Sequence, residues 1–250
     1  MQREFPKFNP REEGKIWVSE VFYSIQGEGK YIGNPAIFLR TQGCILNCEW
    51  CDTYEVWKKG KQYTYQELNE VIDGLLKGVN IYNLHYVLTG GEPLLRQKEL
   101  RDFLEYRWNE TGVEQYIEVE TSGTVLPDYL AGWITHYNIS PKLSSSGMPL
   151  ERRVRKDVLM YYSNRVSLYE NRKHYSFKFV VKDRKDVEEA LSTYIIPYDI
   201  PLDLVYLMPE AINRKQLQDK ESEIVALAKE YGMNYSTRLH LHIWDKATGV

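Results

Sequence analysis

Pro35-Ala36-Ile37-Phe38-Leu39-Arg40 leads, through Thr41-Gln42-Gly43, into Cys44-Ile45-Leu46-Asn47-Cys48-Glu49-Trp50-Cys51. The first stretch reads as a strand, opened by a proline and built of aliphatic and aromatic residues. The second gathers all three cysteines of the chain just beyond the strand's carboxyl end, in the spacing C-x3-C-x2-C. An odd count packed this tightly makes a poor disulfide framework, because one thiol is always left over and the short loops would be strained. In a reducing compartment such a cluster reads as a metal site. Soft thiolates select iron–sulfur clusters, zinc or copper(I). Structural zinc needs a fourth ligand, and none of His85, His136, His174, His240 and His242 lies near the cysteines in sequence. A four-iron cubane ordinarily takes four thiolates. Three leave one iron open to an exogenous ligand, which suits chemistry better than electron storage. On spacing alone an iron–sulfur cluster, a zinc site and unliganded core thiols all stay open.

Outward from that loop the chain alternates strand and helix. Leu68, Val71, Ile72, Leu75 and Leu76 recur at i, i+3, i+4, i+7 and i+8, which predicts a helix over Tyr65–Lys77 with Thr64 capping its start and Gly78 closing its end. Strands are expected at 84–89, 116–120, 135–140, 176–181 and 204–208. Helices are expected at 97–108, briefly after Pro127, from Pro149 through Leu159, around 187–195, and at 215–231 up to Gly232. A further strand, Lys15 to Tyr23, precedes them, and an extended stretch, Leu239 to Trp244, follows. Alternation of this kind implies a mostly parallel sheet with right-handed crossovers. Six strands after residue 34 are too few for an eightfold barrel. The expectation is therefore a single α/β domain over 1–250: a partial parallel (β/α)6 barrel with an additional N-terminal strand and a short C-terminal extension.

The polar motifs fall where such a fold places its chemistry. The cysteines follow one strand, Thr89-Gly90-Gly91-Glu92-Pro93 the next, Glu120-Thr121-Ser122-Gly123 the third and Ser140-Pro141-Lys142 the fourth. The carboxyl ends of barrel strands form the active face. Glycine and proline alone would only mark turns; their joint placement with a thiol cluster points to function. A Gly-Gly pair lets backbone approach a ligand closely, and its amides suit a small carboxylate. Lys142 can neutralise an anion, and Trp50 can pack on an aromatic ring. Upstream, Ser24-Ile25-Gln26-Gly27-Glu28-Gly29-Lys30 has glycines around a glutamate, but no G-K-S/T follows at phosphate-loop spacing. It reads better as a loop whose amide and carboxylate groups recognise a heterocycle edge.

Composition excludes several classes. With 32 basic and 35 acidic side chains the formal charge is −3, so there is no electrostatic footprint of a general nucleic-acid binder. Hydrophobic residues at 43% and charged residues at 27% argue against disorder. No apolar run approaches the ~18–20 residues of a membrane span. The stretch Met1 to Lys7 lacks the apolar core of a signal peptide. The expectation is a cytoplasmic protein that contacts neither membrane nor nucleic acid directly.

Cys44, Cys48 and Cys51, the following Asp52-Thr53, and Thr89-Gly90-Gly91-Glu92-Pro93 resemble the radical S-adenosylmethionine (SAM) enzymes. Gln26-Gly27-Glu28-Gly29, Gly33-x-Pro35-Ala36-Ile37-Phe38-x-Arg40, Trp50 to Thr53, Glu120-Thr121, Ser140-Pro141-Lys142 and Arg238-Leu239-His240 narrow the likeness to the 7-carboxy-7-deazaguanine synthase family. The resemblance spans nearly the whole chain and implies a barrel of radical SAM type. It also implies a lyase that converts 6-carboxy-5,6,7,8-tetrahydropterin to 7-carboxy-7-deazaguanine with loss of ammonia, in queuosine-type biosynthesis. Cys44, Cys48 and Cys51 would hold a [4Fe–4S] cluster whose open iron binds SAM. Trp50, Cys51, Asp52, Gly91, Ser140, Pro141 and Lys142 would line the SAM site. Ile25, Gln26, Gly27, Arg40 and Thr89 would contact the pterin, with Arg40 forking its carboxylate. The Thr53 hydroxyl would be a ligand to Mg2+, a hard cation that takes few protein oxygens.

Glu120 and His240 would face the substrate or stand behind the residues that do. In some relatives a terminal proline carboxylate binds substrate; this chain ends in Val250. A flavodoxin-like electron donor and a homodimer are implied as partners. Two other readings use the same motifs. A glycyl-radical-enzyme activase shares the cysteine spacing and Gly-Gly-Glu-Pro but has no use for the Gln26 to Gly29 loop. A zinc-binding module without activity would need only the thiols.

Overall fold

The computed structural model describes residues 9–247 and 249; Met1 to Lys7 and Val250, considered above, lie outside the described residues. In chain order the regular elements are β1 (Lys15–Ile25), β2 (Pro35–Thr41), α1 (Tyr54–Trp57), β3 (Lys61–Thr64), α2 (Tyr65–Leu75), β4 (His85–Gly90) and α3 (Gln97–Thr111). Then come β5 (Tyr116–Thr121), β6 (His136–Ile139), α4 (Leu150–Arg153), α5 (Lys156–Val166), β7 (Tyr175–Val181), α6 (Arg184–Ala190), β8 (Val205–Pro209), α7 (Arg214–Tyr231), β9 (Asn234–Tyr235) and α8 (Leu239–Trp244).

The described strands form one nine-stranded sheet in the order β3-β1-β2-β4-β5-β6-β7-β8-β9. From β2 through β8 every neighbouring pair is parallel, which accounts for the six strands expected after residue 34. The N-terminal strand β1 runs antiparallel to β2, and β3 antiparallel to β1. The two edge strands β3 and β9 do not pair with each other, so this is a partial barrel and not a closed one.

Successive strand residues face opposite sides, and the two sides differ in chemistry. Ile37, Leu39, Tyr86, Leu88, Ile117, Val119, Ile139 and Phe177 face the helices and join the main core. The alternate positions face inward. Only Ala36, Phe38 and Val87, with Phe22 against them, form an apolar cluster there. Above it stand Arg40, Thr89, Glu120, Ser140 and Lys178, all lining one cavity. The parallel strands are thus apolar on the helix side and largely polar on the side that holds the site.

Local signals set the helix ends. Thr64 accepts from the Glu67 amide while the Glu67 side chain reaches back to the Thr64 amide, a reciprocal capping box. Asn213 caps α7, and Gly232 ends it at φ +68°, a conformation glycine enters without strain.

Four expectations are corrected. Leu239–Trp244 is a helix, because Leu-His-Leu-His imitates a strand's alternation while the amides of Leu241 and His242 both bond back to the Arg238 carbonyl. Its buried Leu241 packs with Ala211 and Leu217. After Pro127 there are turns, not a helix, with Leu130 buried at their centre. The helix after Pro149 is split into α4 and α5 by extended backbone at Val154 and Arg155. The segment around 187–195 is α6 followed by a π-helical turn, Leu191–Ile195. Strands β3 and β9 have no counterpart in the expected pattern; four and two residues are too short for a periodic signal.

Replacing the cap, Thr64→Ala, should lower unfolding free energy by about 1 kcal/mol in urea titrations.

Candidate active site

The carboxyl ends of β2, β4, β5, β6 and β7 open onto one cavity of about 640 Å³. Cys44, Cys48 and Cys51 stand on its wall, none of them in a disulfide. Backbone fixes that loop tightly. The Glu92 amide donates to the Gly43 carbonyl at 2.9 Å, and the Gly43 amide to the Trp57 carbonyl at 3.1 Å. A Cβ at Gly91 would lie 2.3 Å from the Gly43 oxygen and 2.6 Å from Cys44 Cβ, so only glycine lets the second βα loop close on the first. Glu92, fully buried, braces this contact from behind. It accepts from Thr121 Oγ1 and the Ser122 amide, each at 2.8 Å, and also bonds the Ser122 hydroxyl. Burial raises its pKa, against the pull of those hydrogen bonds.

The donor set fits a thiolate cluster. The Leu46 amide points at Cys44 Sγ and the Trp57 indole N–H at Cys51 Sγ, each at 3.4 Å, and hydrogen bonds to sulfur are a feature of iron–sulfur sites. Among the described residues no group of three His, Cys, Asp or Glu side chains converges as a single bound ion requires. Burial pushes the Cys44 and Cys48 thiols up, with Lys142 opposing it at Cys48. At Cys44 and Cys48 burial thus favours the protonated thiol, and ligation to metal is what makes such groups thiolates.

The residues expected at the SAM site gather beside the cysteines. Trp50, Asp52, Gly91, Ser140 and Lys142 line the cavity. Lys142 donates to Ser140 Oγ at 3.0 Å and lies 5.5 Å from the Trp50 ring centroid. Pro141 is buried and does not line the cavity. Thr53 lines it, with its hydroxyl 3.8 Å from Cys51 Sγ.

The expected substrate residues line the same cavity. Ile25, Gln26, Gly27, Arg40 and Thr89 all reach the cavity. Gln26 Nε2 lies 3.3 Å from both Glu118 and Glu120, and Thr89 Oγ1 donates to Glu120 at 2.9 Å. Gln26 Oε1 accepts from the Glu28 amide at 3.2 Å, which fixes which way the side-chain amide points. Arg40 is not an unengaged fork: its Nε is bonded to Glu20 at 3.0 Å. His240 lines the cavity 4.0 Å from Glu28, and burial lowers its pKa.

Lys178 and Glu118 were not singled out beforehand, and Glu28 and Arg238 only as members of motifs. Glu28, Lys178, Arg238 and Asp52 form a continuous ion network. Glu28 bonds Lys178 and, at 2.9 Å, Arg238 Nε; Arg238 Nη2 bonds Asp52. Burial pushes the Glu28 carboxyl up, but Lys178 and Arg238 outweigh it and hold the group well below the usual range. Asp52 is likewise lowered, with Arg238 overcoming burial. Beneath the cavity, His85 and Glu118 form a buried pair, with Asn34 Nδ2 3.0 Å from the other imidazole nitrogen. The strand period places Glu118 two residues before Glu120 on the same inward face, a signal the sequence contains.

A βα sheet of this order, with a three-cysteine loop after its first parallel strand and Gly-Gly closing on it, defines a radical SAM enzyme. The radical SAM superfamily pattern matches residues 38–156. A 7-carboxy-7-deazaguanine synthase of Pyrobaculum aerophilum is 33% identical, over 94% of this chain and 97% of that protein. One from Halobacterium salinarum is 32% identical, over 92% and 91%. The crystal structure of QueE from Escherichia coli superposes with TM-score 0.65 at 25% identity, over 91% of this chain and 96% of that one. The chain belongs to the 7-carboxy-7-deazaguanine synthase family. It is accordingly a lyase that uses a [4Fe–4S] cluster and SAM.

Gly91→Ala should cut the iron bound per chain after anaerobic reconstitution at least severalfold, read by iron and sulfide analysis, because the Cys44 loop must move. Glu28 has a folded pKa below its unfolded value, so its stabilisation is full above the ordinary carboxylate value of 4.5 and is lost as pH falls below it. In denaturation series between about pH 3 and 6, Glu28→Gln should flatten that acid-side loss.

Proposed function

We propose that this cavity converts 6-carboxy-5,6,7,8-tetrahydropterin to 7-carboxy-7-deazaguanine with loss of ammonia. The single observation that carries the reading is one cavity lined both by the three thiols and by the Gln26–Glu120–Thr89 array. The first suits a cluster that binds SAM; the second suits the donor–acceptor edge of a pterin. When bound at Cys44, Cys48 and Cys51, the cluster supplies one-electron reduction of the sulfonium, and from it a carbon radical able to abstract hydrogen.

The chain's own residues do the rest by orientation and charge. Lys142, beside Trp50 and Ser140, meets the SAM carboxylate. Glu120, held by Gln26 and Thr89, accepts from ring N–H groups of the substrate. Arg40 keeps its Nη groups for the substrate carboxylate while Glu20 holds its Nε. Thr53, beside Cys51, offers a hard hydroxyl oxygen to Mg2+. The buried pair Glu28–Lys178 and the partly exposed pair Arg238–Asp52 balance charge at the mouth, so that Lys178 and Arg238 each have a carboxylate partner there.

The same reading takes residues 1–250 as one domain. It extends, on the family resemblance, to a flavodoxin-like electron donor, a homodimer and a cytoplasmic setting. Among the described residues no helix is long and apolar enough to cross a membrane. The activase alternative is not favoured, because Ile25, Gln26 and Gly27 line the cavity as a small-molecule wall and leave no reason for a protein substrate.

Anaerobic, reconstituted protein given SAM, Mg2+, dithionite and the carboxytetrahydropterin should form the deazapurine, detected by mass. Cys48→Ala should lose both the cluster absorbance and turnover. A fully iron-loaded enzyme that forms no deazapurine overturns the substrate assignment, and zinc without iron or sulfide overturns the class of chemistry.

A further inference from the structure

The indole of Trp57 is a feature that the proposed reaction leaves unused. Trp57 ends α1 and is 1% exposed. Its backbone is held from both sides: the amide donates to the Thr53 carbonyl at 3.0 Å, and the carbonyl accepts from Gly43 at 3.1 Å. The Tyr54 ring packs edge-on with centroids 5.2 Å apart. These contacts leave the ring little freedom, and in its observed pose Nε1 stands 3.4 Å from Cys51 Sγ. A buried indole N–H normally has an acceptor, because leaving it bare forfeits its hydration. Here the acceptor is the sulfur of a proposed cluster ligand. The Leu46 amide does the same for Cys44, but any residue supplies that donor. At position 57 a phenylalanine would fill most of the same space and donate nothing.

We propose that Trp57 is a positioning residue that sets the reduction potential of the bound cluster through its hydrogen bond to Cys51. The inference rests on the assignment of Cys44, Cys48 and Cys51 as cluster ligands. Reduction adds one electron from an external low-potential donor, breaks no bond and places more negative charge on the ligand sulfurs. A donor aimed at one of those sulfurs stabilises the reduced form more than the oxidised form and so raises the potential. A higher potential makes the electron easier to accept and leaves less driving force for passing it to the sulfonium. Trp57 would therefore tune both halves of the electron's path through the Cys51 sulfur.

The test is an anaerobic redox titration followed by the paramagnetic signal of the reduced cluster, on wild type and Trp57→Phe. The variant should keep its iron and sulfide. At a fixed potential near the wild-type midpoint its reduced-to-oxidised ratio should fall about tenfold, a midpoint about 59 mV more negative for one electron. Pulsed measurements in deuterated buffer should show an exchangeable coupling at the wild-type cluster that the variant lacks. Should Trp57→Phe lose iron, benzothienylalanine at position 57, which keeps the bicyclic shape and replaces N–H by sulfur, carries the decision. Full iron with an unmoved midpoint in that isosteric variant overturns the role of Trp57 alone. Wild-type protein that takes up no iron and gives no signal overturns the cluster assignment, and this inference with it.

Discussion

Four charged side chains from four separate parts of the chain meet at the mouth of the barrel. Glu28 comes from the loop after β1, Lys178 from β7, Arg238 from the segment before α8, and Asp52 from the cysteine loop. Glu28 and Lys178 are costly to bury alone, and removing one partner of such a buried pair typically costs about 3–5 kcal/mol; the more exposed Asp52 is screened by solvent and contributes less. They are tolerable only together, so the loops that carry them are held in one arrangement. The sheet leaves β3 and β9 unpaired with each other. What draws the two sides of the open barrel over the cavity is this network, assisted by the Leu239 amide on the Gly27 carbonyl and the Gly29 amide on Ser236 Oγ, both at 2.8 Å.

The two faces of the parallel strands explain how one sheet serves both stability and chemistry. The helix-facing positions make an ordinary core. The inward positions give up apolar burial for Glu118, Glu120, Asn138 and Lys178, all buried or nearly so. A buried polar group is acceptable when its hydrogen bonds are met. Glu118 achieves this with His85 and Gln26, Glu120 with Gln26 and Thr89. A floor built this way is rigid because each member restricts the next, which is how a site keeps its donors and acceptors fixed before a ligand arrives.

Close approach of backbone is the second device. Gly91 against Gly43 and Cys44 ties two βα loops together, and Gly27, whose Cβ would meet His240 Nδ1 at 2.5 Å, seats the Gln26 to Gly29 loop on the C-terminal segment. Both contacts join parts of the chain distant in sequence. Motif spacing marks the glycines but does not reveal what they touch.

Much of this was legible beforehand because the signals are local. Strand–helix alternation, the Thr64 cap, the helix stop at Gly232 and the thiol spacing depend on neighbours a few residues apart, and nearly every candidate residue, most of them carried over from the family resemblance, lies in the cavity. Pro141 sits outside it because a strand-end motif contributes side chains to both faces. Leu239–Trp244 misled because Leu-His-Leu-His opens a stretch of six residues that carries either period until the packing of Leu241 on Ala211 and Leu217 chooses one. By itself, the order of residues determined the parallel α/β architecture, the thiol-bearing loop and the family. Only the tertiary structure decided that Glu28 is paired with Lys178 and Arg238, that Arg40 is held by Glu20, and that Trp57 donates to Cys51. These are contacts between side chains that chain folding alone brings within reach, and no local periodicity encodes them.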